Sequence, residues 1–133
     1  MVIRANPTSK YRAQPTVVDG VRFASKREAA RYAELKLLEK AGEIRGLVLQ
    51  PRFELHAAMT LRDVGRGRDP ARIGCYVGDF AFEERAVPPG GPVAFRREWR
   101  RVVEDVKGFK TPLYRWKAKH VSAEYGIVIR EVR

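Results

Sequence analysis

Cysteine is almost absent: Cys75 is the only one in 133 residues. A single thiol excludes an intrachain disulfide and any zinc site built from several thiolates. Histidine is nearly as scarce, and His56 and His120 lie far apart without metal-ligand spacing. No apolar run approaches the roughly 20 residues that a membrane span needs. The opening Met-Val-Ile-Arg-Ala-Asn-Pro lacks the apolar segment of a secretory signal. A cytoplasmic, intracellular protein without membrane contact is the expectation. Acids are few as well, 16 against 27 Lys and Arg, for a net charge of +11. The sequence holds no internal repeat and no low-complexity tract. At this length one domain is expected, and 44% hydrophobic residues suffice for a core.

An excess of cations with a pI near 10.3 favours polyanionic partners through phosphate contacts and counterion release. Charge alone fits DNA, RNA or a ribosomal surface equally. The scarce acids are therefore the more informative residues. Asp79, Glu104 and Asp105 sit in apolar, strand-like runs, where an unpaired carboxylate is costly. A divalent metal or a structural Lys/Arg partner must compensate them.

Residues 1–14 read as a flexible basic arm and 15–133 as one domain. Thr16–Phe23 reads as a hairpin with Asp19-Gly20 as its two-residue turn. Ser25 and Glu28 form a capping-box pattern that opens a helix running to about Ala41, with Gly42 as C-cap. Leu47–Leu55 is strand-like but interrupted by Pro51, so it is an edge or is broken there. Residues 57–71 read as a loop, 72–84 as the strand of Asp79, and 86–92 as a long connection. Residues 95–107 read as the strand carrying Asp105 and Lys107. Thr111 is an N-cap with Pro112 at N1, and the helix ends near Tyr125 with Gly126 as C-cap. Ile127–Val132 is a last strand. The fold class is α/β with a mixed central sheet and a short N-terminal hairpin.

Strand side chains alternate faces, so Asp105 and Lys107 point one way and Glu104 the other. An acid on one strand followed by acid-x-lysine on the next is a minimal skeleton for metal-dependent phosphodiester hydrolysis. With the order helix, three strands, helix, strand, the chain resembles the PD-(D/E)xK nuclease superfamily. Gly78-Asp79 resembles the first half of that motif, with glycine where the name has proline. Asp105-Val106-Lys107 resembles the second half. Val18–Ala29, Leu49-Gln-Pro51, Tyr76–Phe80 and Val103–Gly108 together resemble the small phage- and prophage-associated endonucleases of this superfamily. The resemblance implies a restriction-endonuclease-like α-β-β-β-α-β core. It also implies a Mg²⁺- or Mn²⁺-dependent DNA endonuclease akin to Holliday-junction resolvases. A phage-infected or lysogenic bacterial host, a branched DNA substrate and a homodimer all fit that kinship. Stretches 60–71 and 85–97 are longer and more basic than a compact family core.

By this reading Asp79, Asp105 and the Val106 carbonyl hold the metal, and two carboxylates, one carbonyl and waters suit Mg²⁺. Lys107 serves the attacking water and the phosphate charge. Glu28 has two explanations, a helix cap or a helix-borne ligand. Gln50 and Lys117 are accessory candidates. Lys110, Arg115 and Lys119 form a row suited to DNA phosphates. For each acid and for Lys107 the competing explanation is a structural ion pair. Glu104 is expected to pair with an arginine or lysine on the opposite face. Trp99, Trp116 and Tyr114 are assigned mostly to the core, and Cys75 to a buried apolar position. The rival functions are a non-catalytic nucleic-acid-binding protein that keeps the fold, and an interaction module of a phage replication or packaging complex.

Overall fold

The computed structural model describes residues 14–58, 65–86 and 98–133. The basic arm up to residue 13, part of the loop at 57–71 and most of the 85–97 connection lie outside the described residues. So do the first residues of the expected 95–107 strand.

The chain opens with the expected hairpin, β1 (Thr16–Val18) against β2 (Val21–Phe23). Asp19 and Gly20 have φ of 50° and 76°, the positive pair that a type I′ turn demands. Helix α1 (Lys26–Lys40) follows, capped by Ser25, whose Oγ accepts from the Glu28 amide at 3.2 Å. Ala41, one residue before the expected Gly42, is the C-cap.

Two of the expected strands each break into two. The first becomes β3 (Ile44–Leu49) and β4 (Arg52–His56). Gln50, between them, takes φ of 49°, and Pro51 has no N–H to give to a ladder. The second becomes β5 (Arg72–Val77) and β6 (Phe80–Ala86), parted at Gly78-Asp79. The two breaks meet: Gly78 N–H donates to the Pro51 carbonyl at 2.9 Å, and Gln50 N–H to the Asp79 carbonyl at 2.9 Å. Here both runs of the chain pass from one sheet to another. β4 and β5 form an antiparallel pair of their own.

The main sheet has the order β3-β6-β7-β8, where β7 is Glu98–Val106 and β8 is Ile129–Val132. β3, β6 and β7 pair antiparallel, and β8 pairs parallel to β7 after crossing through helix α2 (Pro112–Tyr125). Thr111 Oγ1 caps α2 by accepting from the Tyr114 amide at 3.1 Å. Among the described residues the fold is α/β with a mixed four-stranded sheet, two helices and a short hairpin, as the sequence suggested. No helix among the described residues is long and apolar enough to cross a membrane.

Alternation along β7 divides the core. Val102 packs with Phe23, Tyr32, Leu35, Ile44, Phe80 and Phe82 on the α1 side. Val103 packs with Phe53, Leu55, Tyr76, Ala81, Tyr114, Val121 and Ile127 on the α2 side. The same alternation sends Glu104 toward α1 and Asp105 toward α2.

Candidate active site

Asp105 sits near the C-terminal end of β7 and is 1% exposed. Its Oδ2 accepts from the Tyr76 hydroxyl at 2.7 Å. Its Oδ1 is buried and has no hydrogen-bond partner among the described residues. The nearest cation is Lys107, whose Nζ lies 3.2 Å from Oδ1 as an ion pair. Lys107 is one residue beyond β7, and its ammonium also stands 5.0 Å from the centre of the Tyr114 ring.

Asp79 lies in the connection between β5 and β6, not within a strand as the sequence suggested. The change of sheet at this point removes the ladder partner a strand would give it. Two backbone bonds and one side-chain bond hold Asp79 instead. Besides the Gln50 bond to its carbonyl, the Asp79 N–H donates to the Glu104 carbonyl at 3.0 Å, and Asp79 Oδ2 accepts from the Val106 N–H at 2.6 Å. The two motif halves are thus tied directly to one another. Burial pushes the Asp79 carboxyl up to about 7; the charges of Asp105 and Glu28 add to this, and the Val106 amide and Lys107 oppose it.

Close packing explains the glycine in Gly78-Asp79. A Cβ there would sit 3.0 Å from Val103 Cγ1, 3.3 Å from Pro51 Cγ and 3.5 Å from the Glu104 carbonyl oxygen. A proline would also lose the N–H that bonds Pro51.

Glu28 gives its backbone N–H to the Ser25 cap. Its carboxylate makes no hydrogen bond or ion pair among the described residues, so the reciprocal arm of the capping box is not formed. The half-buried side chain remains near enough to raise Asp79. It starts from α1, which packs on the Glu104 side of β7, whereas Asp105 faces α2. No three His, Cys, Asp or Glu side chains among the described residues form a group that could hold a metal. Asp79 and Asp105 are a two-carboxylate set. That set fits Mg²⁺ or Mn²⁺, which take oxygen ligands and of which Mg²⁺ keeps several waters. Asp105 Oδ1, buried and without a hydrogen-bond donor among the described residues, is the oxygen that a metal ion beside the Lys107 ammonium would satisfy.

The remaining candidates separate. Gln50 contributes its backbone, and its side chain is exposed. Lys117 is half-buried on α2, and no hydrogen bond or ion pair joins it to the acids among the described residues. Lys110 is ion-paired with Glu131. Arg115 and Lys119 are exposed and make no ion pair among the described residues.

Glu104 has its arginine partners. Fully buried, it takes a fork from Arg31 of α1, Nε to Oε2 at 2.8 Å and Nη2 to Oε1 at 2.6 Å. Arg130 of β8 lies 3.6 Å away. Two placements had no clear signal in the sequence. Tyr76 reads as a core aromatic, and only the tertiary pairing brings its hydroxyl to Asp105. Trp116, assigned to the core, is 47% exposed, because it lies about 200° around α2 from the buried Tyr114. Cys75 is half-buried rather than fully enclosed.

The family model that matches this chain spans residues 8–132, almost all of it. The chain belongs to the DUF1064 family. The description of that family is a protein of unknown function. No curated protein and no solved structure matches the chain. The family match covers Asp79, Asp105, Lys107 and Glu28 together, so the site lies wholly within the family's domain.

Proposed function

We propose that this protein is a Mg²⁺- or Mn²⁺-dependent endonuclease that hydrolyses DNA phosphodiester bonds on a PD-(D/E)xK core. The observation behind this reading is the Lys107 ammonium 3.2 Å from the buried Asp105 Oδ1, with the Asp79 carboxylate bonded to the amide of the intervening Val106 and close enough to Asp105 to feel its charge. Two acids pushed together at a cost in desolvation, beside one lysine, are an expensive arrangement for a structural ion pair alone. The order α1, β3, β6, β7, α2, β8 around the main sheet supports the restriction-endonuclease-like core. The β4–β5 pair is then an insertion between its first two strands.

Asp79 and Asp105 would hold the metal, which when bound supplies Lewis-acid polarisation of the phosphate and a more acidic water. Asp105 offers Oδ1, since Tyr76 occupies Oδ2. Lys107 places its ammonium beside Oδ1, where it orients the attacking water and offsets charge gathering on the phosphate. Glu28, whose charge reaches Asp79, would assist. Arg115, Lys119 and Lys110 lie along the strand-to-helix segment that leaves the site and suit the DNA backbone. A branched or junction substrate in phage DNA processing, cut by a homodimer, is the biological setting this reading favours.

The test is cleavage of labelled single-stranded, duplex, nicked, flap and four-way-junction DNA with Mg²⁺, Mn²⁺ or EDTA. Lys107→Ala and Asp79→Ala serve as controls. Metal-dependent cutting that both variants lose supports the reading. Binding without cutting in any metal sinks it and favours a non-catalytic nucleic-acid-binding protein.

A further inference from the structure

Phe109 and Trp116 take no part in the chemistry above. Phe109 stands two residues past Lys107, between β7 and α2, and is 68% exposed. Trp116 follows one turn into α2, with Leu113 on the same flank and 61% exposed. Trp116 packs on the His120 ring at 5.3 Å between centroids. At about 100° per residue, Lys119 and Arg115 lie together on one side of Trp116, while Tyr114 and Val121 face the core. Two large rings are therefore held in water a few residues past the lysine of the candidate site, with Arg115 and Lys119 making no ion pair among the described residues.

We propose that Phe109 and Trp116 are a stacking platform for unpaired bases, so that this face of α2 takes a single-stranded DNA segment leading from the scissile phosphate. The location rests on the nuclease reading; the binding itself does not. Bases in a duplex hide their faces within the stack. Exposed rings interleaved with cations match a strand that shows both base faces and phosphates. The net charge of +11 favours such a polyanion over an apolar protein partner.

The experiment uses the full chain in EDTA with Trp99→Phe, which leaves Trp116 as the sole tryptophan. A short oligothymidylate and a blunt duplex of equal length are titrated at one salt concentration, read by tryptophan quenching and by anisotropy of labelled DNA. The oligothymidylate should quench Trp116. In the parent, Phe109→Ala and Trp116→Ala should each weaken single-strand binding about tenfold while changing duplex binding less than about twofold. Phe109→Tyr should retain binding, which keeps the test valid even if an alanine variant unfolds. Absence of quenching, or equal losses on both DNAs, overturns the platform. Quenching without cleavage in any metal would remove the nuclease reading and leave the platform; cleavage without quenching would do the reverse.

Discussion

Replacing Tyr76 with phenylalanine removes one oxygen from the buried side of Asp105 and leaves the ring packing intact. In the parent, Tyr76 Oη satisfies Asp105 Oδ2 at 2.7 Å, and Oδ1 has only the Lys107 ammonium, 3.2 Å away. In the variant neither oxygen of this buried carboxylate has a hydrogen-bond donor among the described residues. Hydrogen bonds to charged groups contribute about 1.5–3 kcal/mol, so metal-free stability should fall by about 2 kcal/mol. The carboxylate also loses the contact that fixes its rotation. Groups that orient a metal ligand typically change metal affinity by about 10–100-fold, and a loss in that range is expected here. Urea unfolding in EDTA measures the first effect, and calorimetric titration with Mn²⁺ the second. If the variant loses stability yet binds Mn²⁺ within about twofold of the parent, Asp105 is not the ligand and the hydroxyl is merely a core hydrogen bond.

Arg31→Met should destabilise the fold by about 3–5 kcal/mol, because Glu104 would be left as a buried, underpaired charge. Denaturant melts of Arg31→Met and of Arg31→Met with Glu104→Leu check this, since the double variant should recover most of the loss. Gly78→Ala should cost about 1–3 kcal/mol and displace Asp79, because its Cβ would meet Val103 Cγ1 at 3.0 Å; unchanged stability and cleavage would refute the close packing. The Asp79 carboxyl, raised from 3.8 to about 7 by burial first, prefers its neutral form in the folded state. Its contribution is full below its unfolded value and is lost as pH rises through about 7. Metal-free protein should therefore lose about 2 kcal/mol relative to Asp79→Asn between acid and mildly alkaline pH, after allowance for solvent screening. Paired urea melts across that range would show it, and Mn²⁺ affinity should rise over the same interval.

Local chemistry determined much of this protein. The Asp19-Gly20 turn, the Ser25 and Thr111 caps and the valine-rich β7 are short-range choices, made by turn conformation, capping and alternation. Alternation alone also separated Asp105 and Lys107 from Glu104 and required a cationic partner for Glu104. Which cation it was, Arg31, became clear only when α1 was laid on the sheet. Sheet membership was decided at long range. One strand-like run carries Asp79, but backbone bonds from Gly78 and Asp79 to residues far away in sequence divide it between two sheets. That division places Asp79 in a turn against Val106. Tyr76, an ordinary strand aromatic by its neighbours, meets Asp105 for the same reason. Periodicity records which face a residue takes along its own strand; the hydrogen bonds between strands decide what it faces.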